Sequence, residues 1–186
     1  MRIVFYCLGI ILLFSSCNSE REIHEENTYE IVSLLVETTG KPMKPPPPPE
    51  GVRSRFTDSQ INSILNRSQK VALYPVFNSS KKVFSENKKV SSEYNNLVTN
   101  LKNLDKEQLV DLSEVTTSES LKLSIIDTNK LKSEKRYIDK NYDILIQISA
   151  ISFNAAYDKA ALVLSASRGR LNGSSSIIYM YKVDGK

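Results

Sequence analysis

Cysteine is nearly missing from this 186-residue chain: it occurs at Cys7 and Cys17, and none follows residue 17. The sequence beyond that point can form no internal disulfide and offers no C-x-x-C pair. Histidine is scarcer still, with His24 alone. That excludes an H-E-x-x-H zinc motif, and no G-x-S-x-G is present. Zinc needs three or four ligands held in place, and His24 beside Glu25 and Glu26 in a polar stretch reads as a solvated side chain. No metal or other cofactor is expected.

Concentrated charge is lacking too. The formal charge is +4 and the sequence pI about 8.9, but the basic residues are scattered. Nucleic acid binding wants a basic face with stacking aromatics, so no nucleic-acid partner is expected. Long hydrophobic runs are also absent. The longest, IVFYCLGIILLF from Ile3 to Phe14, falls short of the roughly 20 residues that span a bilayer as a helix.

What that run does fit is a processing signal. Arg2 is the positive flank, Ile3–Phe14 the apolar centre, and Ser15 and Ser16 the small residues of a cleavage site. The stretch Leu13-Phe14-Ser15-Ser16-Cys17 resembles the lipobox of bacterial lipoproteins, departing from the strictest pattern at Phe14. The resemblance implies a diacylglyceryl group on the Cys17 thiol, cleavage before it, and acylation of the new N-terminus. Several acyl chains, each adding about 0.8 kcal/mol per buried methylene, would make attachment lasting. Asn18 stands where an aspartate would signal inner-membrane retention, so the resemblance implies the outer membrane, facing either the periplasm or the outside.

Three regions follow: a signal over 1–16; a lipidated tether, helix and proline-rich spacer over 17–51; and one domain over 52–186. Residues 18–27 are polar and read as a tether. Tyr29, Val32, Leu35 and Val36 recur at helical spacing and predict a helix that stops before Gly40 and Pro42. Pro45–Pro49 favour a polyproline II rod, read as a stiff spacer in preference to a ligand for an aromatic groove. Thr57 and Gln60 form a capping box before Ile61, Ile64 and Leu65. In residues 71–77 (VALYPVF), Pro75 pushes the strand to an edge or a bend.

Residues 78–92 read as a lysine-rich loop. From Ser92, a stripe of Tyr94, Leu97, Val98, Leu101 and Leu104 predicts a helix. Asp105 with Gln108 would cap a short helical turn through Leu109 and Leu112. Residues 121–127 alternate as a strand, and 128–140 read as a charged loop. The last third gives three strands, 142–153, 159–166 and 175–183, joined by short turns. The fold class is therefore α+β: N-terminal helices, then a C-terminal antiparallel meander packed against a helix. Asp184-Gly185 is a hairpin signal with no return strand. It leaves two readings, a further strand missing from this chain or a plain hydrophilic end.

The candidates for chemistry are few. Asp105, Glu107, Asp111 and Glu114 could pair as acid and base on envelope sugars, but read better as capping and solubility residues. The loop Ser167-Arg168-Gly169-Arg170-Leu171-Asn172-Gly173 has the residue types of an anion cradle: arginine donors, and glycines that let amides approach. Its candidate binding set is Arg168, Gly169, Arg170, Asn172 and Gly173, against the reading as a plain hairpin loop. Tyr137, Tyr142, Tyr157, Tyr179 and Tyr181 could stack on sugars if they cluster.

The segment SFNAAYDKAALVLSASRGRLNGSSSIIYMYKVDGK, residues 152–186, resembles the C-terminal part of uncharacterised lipoproteins from Bacteroidetes-type bacteria, without their closing Trp. That resemblance implies an envelope location and a sheet, and no activity. The expected function is a lipid-anchored, non-enzymatic binding or assembly module, with the membrane and an envelope protein as partners. The alternative is an enzyme or inhibitor working through the carboxylates or the Arg168/Arg170 loop.

Overall fold

The computed structural model describes residues 2–51, 56–78, 91–104, 107–169 and 172–183, with side chains from residue 20 onward. The first element, helix α1, runs unbroken over Arg2–Gly40. The polar stretch 18–27, expected to be a tether, is therefore helical. Its glutamates and Arg21 are good helix formers, and they continue into an apolar stripe that supplies the packing energy.

Tyr29, Val32, Leu35 and Val36 on α1 are buried in the main core with strand residues Val71, Leu73, Ile144, Ile146 and Leu162. Burial of each of these valines and leucines stabilises by roughly 1.5–3 kcal/mol. The helix assigned by its sequence to the spacer is thus part of the folded unit. Its last residue, Gly40, lies so close to the sheet that a Cβ there would sit 3.1 Å from both Leu121 and Val71 side chains.

Helix α2, Asp58–Leu65, carries the expected capping box, with both reciprocal bonds between Thr57 and Gln60 formed. Strand β1 is Gln69–Leu73 and β2 is Val76–Phe77. Helix α3 spans Ser92–Asn103 and buries Leu97, Val98 and Leu101. Strand β3, Gln108–Leu109, pairs antiparallel with β2, and Leu112–Glu114 is a 3-10 turn capped by Asp111. The helical turn expected from Gln108 through Leu112 is therefore a strand pair and a 3-10 turn; Asp105 lies outside the described residues. Then come β4 (Leu121–Ile125), α4 (Thr128–Ser133), α5 (Tyr137–Asn141), β5 (Ile144–Ile148), β6 (Ser152–Phe153), β7 (Lys159–Ser167) and β8 (Gly173–Tyr181). The stretch 128–140, expected to be a loop, holds two short helices. The Asp127 carboxylate caps the first by accepting from the amides of Asn129 and Lys130.

The main sheet has the order β4-β1-β5-β7-β6, with β8 also on β7. The expected antiparallel meander is present as β5–β7–β8. Ahead of it stand two parallel pairings, β1 with β4 and β1 with β5. Strand β1 is thus central, not an edge. Pro75 lies beyond the last ladder residue, Leu73, so it costs β1 no bond and marks the bend into β2.

Period-two alternation decides which helix covers which face. Val71, Leu73, Ile144, Ile146, Ile148, Ala160 and Leu162 share one core with α1. Their neighbours face the other way: Ala72 and Leu145 meet Tyr137, Leu131 and Tyr142 around α4 and α5. Ala161, Ile177 and Tyr179 meet Tyr94, Leu97 and Val98 of α3. The helical stripe read from residue 94 onward therefore does lie on the meander.

One connection is held by a polar row on α1. Tyr29 Oη accepts the amide of Asp111 at 2.9 Å, Ser33 Oγ that of Thr116 at 2.9 Å, and a Glu37 carboxylate oxygen that of Ser118 at 2.9 Å. Positions 29, 33 and 37 lie one helical turn apart, so a single face receives the irregular strip 111–118.

Candidate functional site

Among the described residues, those singled out by sequence do not all meet at one place. Cys17 lies on α1, and its side chain is outside the described residues. Arg168 donates through Nη2 to the carbonyl oxygens of Thr39, at 2.6 Å, and Lys41, at 2.7 Å. It closes the C-terminal end of α1, where unpaired carbonyls and the negative end of the helix dipole favour a cation. Gly169 takes φ +99°, and a Cβ there would stand 3.1 Å from Asp139 Oδ1. Gly173 begins β8, Asn172 returns its carbonyl to the Arg168 amide at 2.8 Å, and Arg170 is outside the described residues.

Of the described carboxylates, Asp111 caps the 3-10 turn that contains Glu114. Asp111 accepts from Ser113 N and Oγ, which holds its pKa below the usual carboxylate value. Glu107 and Glu114 are exposed. The five tyrosines do not form one cluster, although Tyr157 and Tyr181 line the same cavity. Tyr137 stacks edge-on against Tyr142, Tyr179 against Tyr94 and Tyr157 against His24, while Tyr157 and Phe153 meet at a tilt of 39°. Tyr181 is 69% exposed.

His24 differs from its expectation as a solvated side chain. It is half-buried, with its ring 5.1 Å from that of Phe153 and 6.1 Å from that of Tyr157. Burial lowers its pKa, with Glu25 opposing. Tyr157 reaches this position from a left-handed backbone, φ 54°, in the turn before β7. That conformation is uncommon for an aromatic residue. Asn154 secures the turn: its Oδ1 accepts from the Asp158 and Lys159 amides, and its Nδ2 donates to Asp158 Oδ1.

Next to this aromatic group is a cavity of about 90 Å³ between α1 and the end of the sheet. Ile31 and Leu34 of α1, Phe153 of β6, Ala160 of β7 and Met180 of β8 give it apolar walls. Asn27 lines it and is 6% exposed. The Asn27 Nδ2 donates to the Ile23 carbonyl at 2.6 Å, whereas its Oδ1 has no partner. Charged groups at the rim are paired. Glu30 stands 4.0 Å from Lys182, and Lys159 binds Glu93. A mostly apolar concavity with polar residues at its rim has the composition of a small-ligand site.

Sequence reading missed this cavity because its walls come from three separated stretches. Asn27 itself was read as tether. The signal available was the helical stripe of Tyr29, Val32 and Val36, which extends backward by one turn to include Thr28 and places Asn27 beside the buried face.

Among the described residues, no helix is long and apolar enough to cross a membrane, and no group of three or more His, Cys, Asp or Glu is placed to hold a metal ion. No family model, curated protein or solved structure matches the chain.

Proposed function

We propose that this chain is an envelope lipoprotein, fastened by lipid on Cys17, whose α+β unit serves as a non-enzymatic binding module with the α1–β8 cavity as its site. The anchor reading rests on the lipobox-like Leu13–Cys17 behind a short apolar run. The binding reading rests on one observation above all: the largely apolar cavity between α1 and the end of the sheet.

The two parts share one helix. Ten residues separate Cys17 from Asn27 on α1, about 15 Å at 1.5 Å per residue. A lipidated Cys17 would hold the cavity close to the bilayer surface, at a fixed distance, as a stiff stalk and not a slack leash. The outer membrane is the proposed address, and an envelope protein the proposed macromolecular partner.

Radiolabelled palmitate supplied to a bacterial host expressing the wild type and Cys17→Ala tests the anchor. Label on the wild type, none on the variant, and release of the variant from the membrane fraction are expected. Equal labelling of the two would sink the anchor. Pull-down from detergent-solubilised envelope with the lipidated chain, compared with the cavity-filling variant Ala160→Ile, tests whether the module's partner engages this site.

A further inference from the structure

We propose that β8 is a docking edge for a second copy of this chain. Two β8 strands pair antiparallel about a two-fold axis at Ile177 and join their sheets into one. The inference goes beyond the binding-module reading and needs neither the anchor nor the cavity.

The backbone leaves this edge open. Strand β7 gives its two sides to different partners. Both backbone groups of Val163 bond Ser149 on the β5–β6 side, whereas Arg168 bonds Asn172 and Asp158 bonds Lys182 on the other. Strand β8 is therefore the last strand on that second side, and its even-numbered residues face β7. The amides and carbonyls of Gly173, Ser175, Ile177, Tyr179 and Tyr181 point outward. Among the described residues, none of these groups has a hydrogen-bond partner. The covering helices lie inward of the edge, α3 over β6 and β7, and α1 over β5.

The strand also lacks what keeps edges apart. Natural edge strands are short, or carry Lys, Pro or a bulge. Strand β8, GSSSIIYMY, is nine residues long with no charge and no proline. It pairs one-to-one with β7 from Gly173 to Tyr181, without a bulge. The opposite edge, β4, has five residues and carries Lys122. Pairing through β8 thus leaves only protected edges outside, and assembly stops at two copies.

The side chains name the partner. Residues 173–176 are small and exposed, and 177–180 are large and half-buried. An antiparallel pairing centred on Ile177 sets small against large. Ser176 meets Ile178 of the second copy, Ser175 meets Tyr179, Ser174 meets Met180, and Gly173 meets Tyr181. Tyr181, 69% exposed, then lies across a glycine, an arrangement that stabilises strand pairs. Odd residues oppose odd ones, so each outward amide meets an outward carbonyl. All nine residues overlap in this register, and moving the axis to either neighbour shortens the overlap. Lys182 falls opposite Asn172, so no like charges meet. The paired edge is smaller than the standard interface of roughly 1,600 Å², so a dimer exchanging with monomer is expected.

Per-residue amide hydrogen exchange on the full chain in detergent, at two concentrations about a hundredfold apart, tests this. The amides of Ser176, Ile178 and Met180 face β7 and should be slow at both. Those of Ser175, Ile177 and Tyr179 should slow by about tenfold or more in the concentrated sample. Native mass spectrometry should show a dimer there and nothing larger. Ser175→Pro keeps the bonds to β7 but removes an outward donor, and should weaken the dimer by about tenfold or more. Ser175→Lys puts charge on the edge, should act likewise, and serves if the proline variant fails to fold. Exchange of the odd-numbered amides that ignores concentration overturns the proposal, even where the chain associates, because the contact then lies elsewhere. Odd amides slow at every dilution also overturn it, since a segment of the same chain would cover the edge. So does protection that appears only with added envelope extract, which would make the occupant another protein.

Discussion

Arg168 Nη2 lies 2.6 Å from the carbonyl oxygen of Thr39, so a residue of the final hairpin closes the end of the first helix. The contact joins the two ends of the described fold. Hydrogen bonds to a charged donor contribute more than neutral ones, about 1.5–3 kcal/mol. Arg168→Ala is expected to lower the unfolding free energy by about 2 kcal/mol in urea, with an unchanged m-value. Arg168→Lys should recover less than half, because an ammonium lacks the planar fork that reaches both the Thr39 and Lys41 carbonyls. An unaffected midpoint in Arg168→Ala would show that the clasp carries no stability.

Thr28 is buried at 3% exposure, and its Oγ1 has no partner. Replacing an unsatisfied buried hydroxyl with a methyl group of the same shape removes a desolvation cost of about 1–3 kcal/mol. Thr28→Val is therefore expected to raise the thermal midpoint by several degrees. A lower midpoint would mean that the hydroxyl has a partner in solution.

Tyr137 should govern the alkaline limb. Its pKa is pushed up to about 12, first by the hydrogen bond with Tyr142 and then by burial. The unfolded chain releases this proton near pH 10, the folded chain later. Its contribution is thus fully present below pH 10 and is lost as pH rises from 10 toward 12. Urea midpoints measured at pH 8, 10 and 11 should fall more steeply in the wild type than in Tyr137→Phe.

His24 acts in the opposite direction. Burial beside Phe153 and Tyr157 lowers its pKa, so the folded state resists protonation. The stability it brings is present above the unfolded value near 6.5 and is lost as pH falls below it. An NMR titration of the imidazole should give a midpoint under 6.5. The Phe153 and Tyr157 ring signals should move with the same midpoint. A midpoint at or above 6.5 would place the ring in water.

The phase of the β7–β8 ladder predicts a contrast between neighbouring residues. The amide bonds from Arg168 to Asn172 and from Lys182 to Asp158 place the even-numbered residues of β8 toward β7. The amide of Ser175 then points away from the ladder, and that of Ser176 points into it. Ser175→Pro should cost under about 1 kcal/mol and Ser176→Pro about 3 kcal/mol or more. Equal loss in both would mean a different register.

Locally periodic parts of the fold were legible in the sequence. The alternation in β5, β7 and β8, the stripe from Tyr94 to Leu101 and the capping box at Thr57 are each written within a dozen residues. Pro75 left an edge and a bend both open, because a proline just past a strand looks the same in sequence as one inside it; the structure has the bend. The helices at 128–133 and 137–141 were hidden by their charge. Asp127 before Thr128 was the N-cap signal that could have exposed the first. For α1, polarity over 18–27 was mistaken for lack of structure, although a helix needs apolar residues on one face only. The cavity could not be read at all, since Asn27, Phe153 and Met180 meet only after the sheet has formed.

The central place of β1 has a kinetic side. Val71 takes its ladder partners from Leu123 and Ile144, both much later in the chain, while the apolar face of α1 waits for Ile146 and Leu162. During synthesis the N-terminal half therefore emerges with its sticky surfaces unsheltered and no neighbour yet made to cover them. Non-local pairing of this kind folds slowly and exposes the nascent chain to aggregation. The protein's most vulnerable moment falls between the appearance of α1 and the arrival of β5, an interval in which a chaperone would find its binding surface in Tyr29–Val36 and Val71–Leu73.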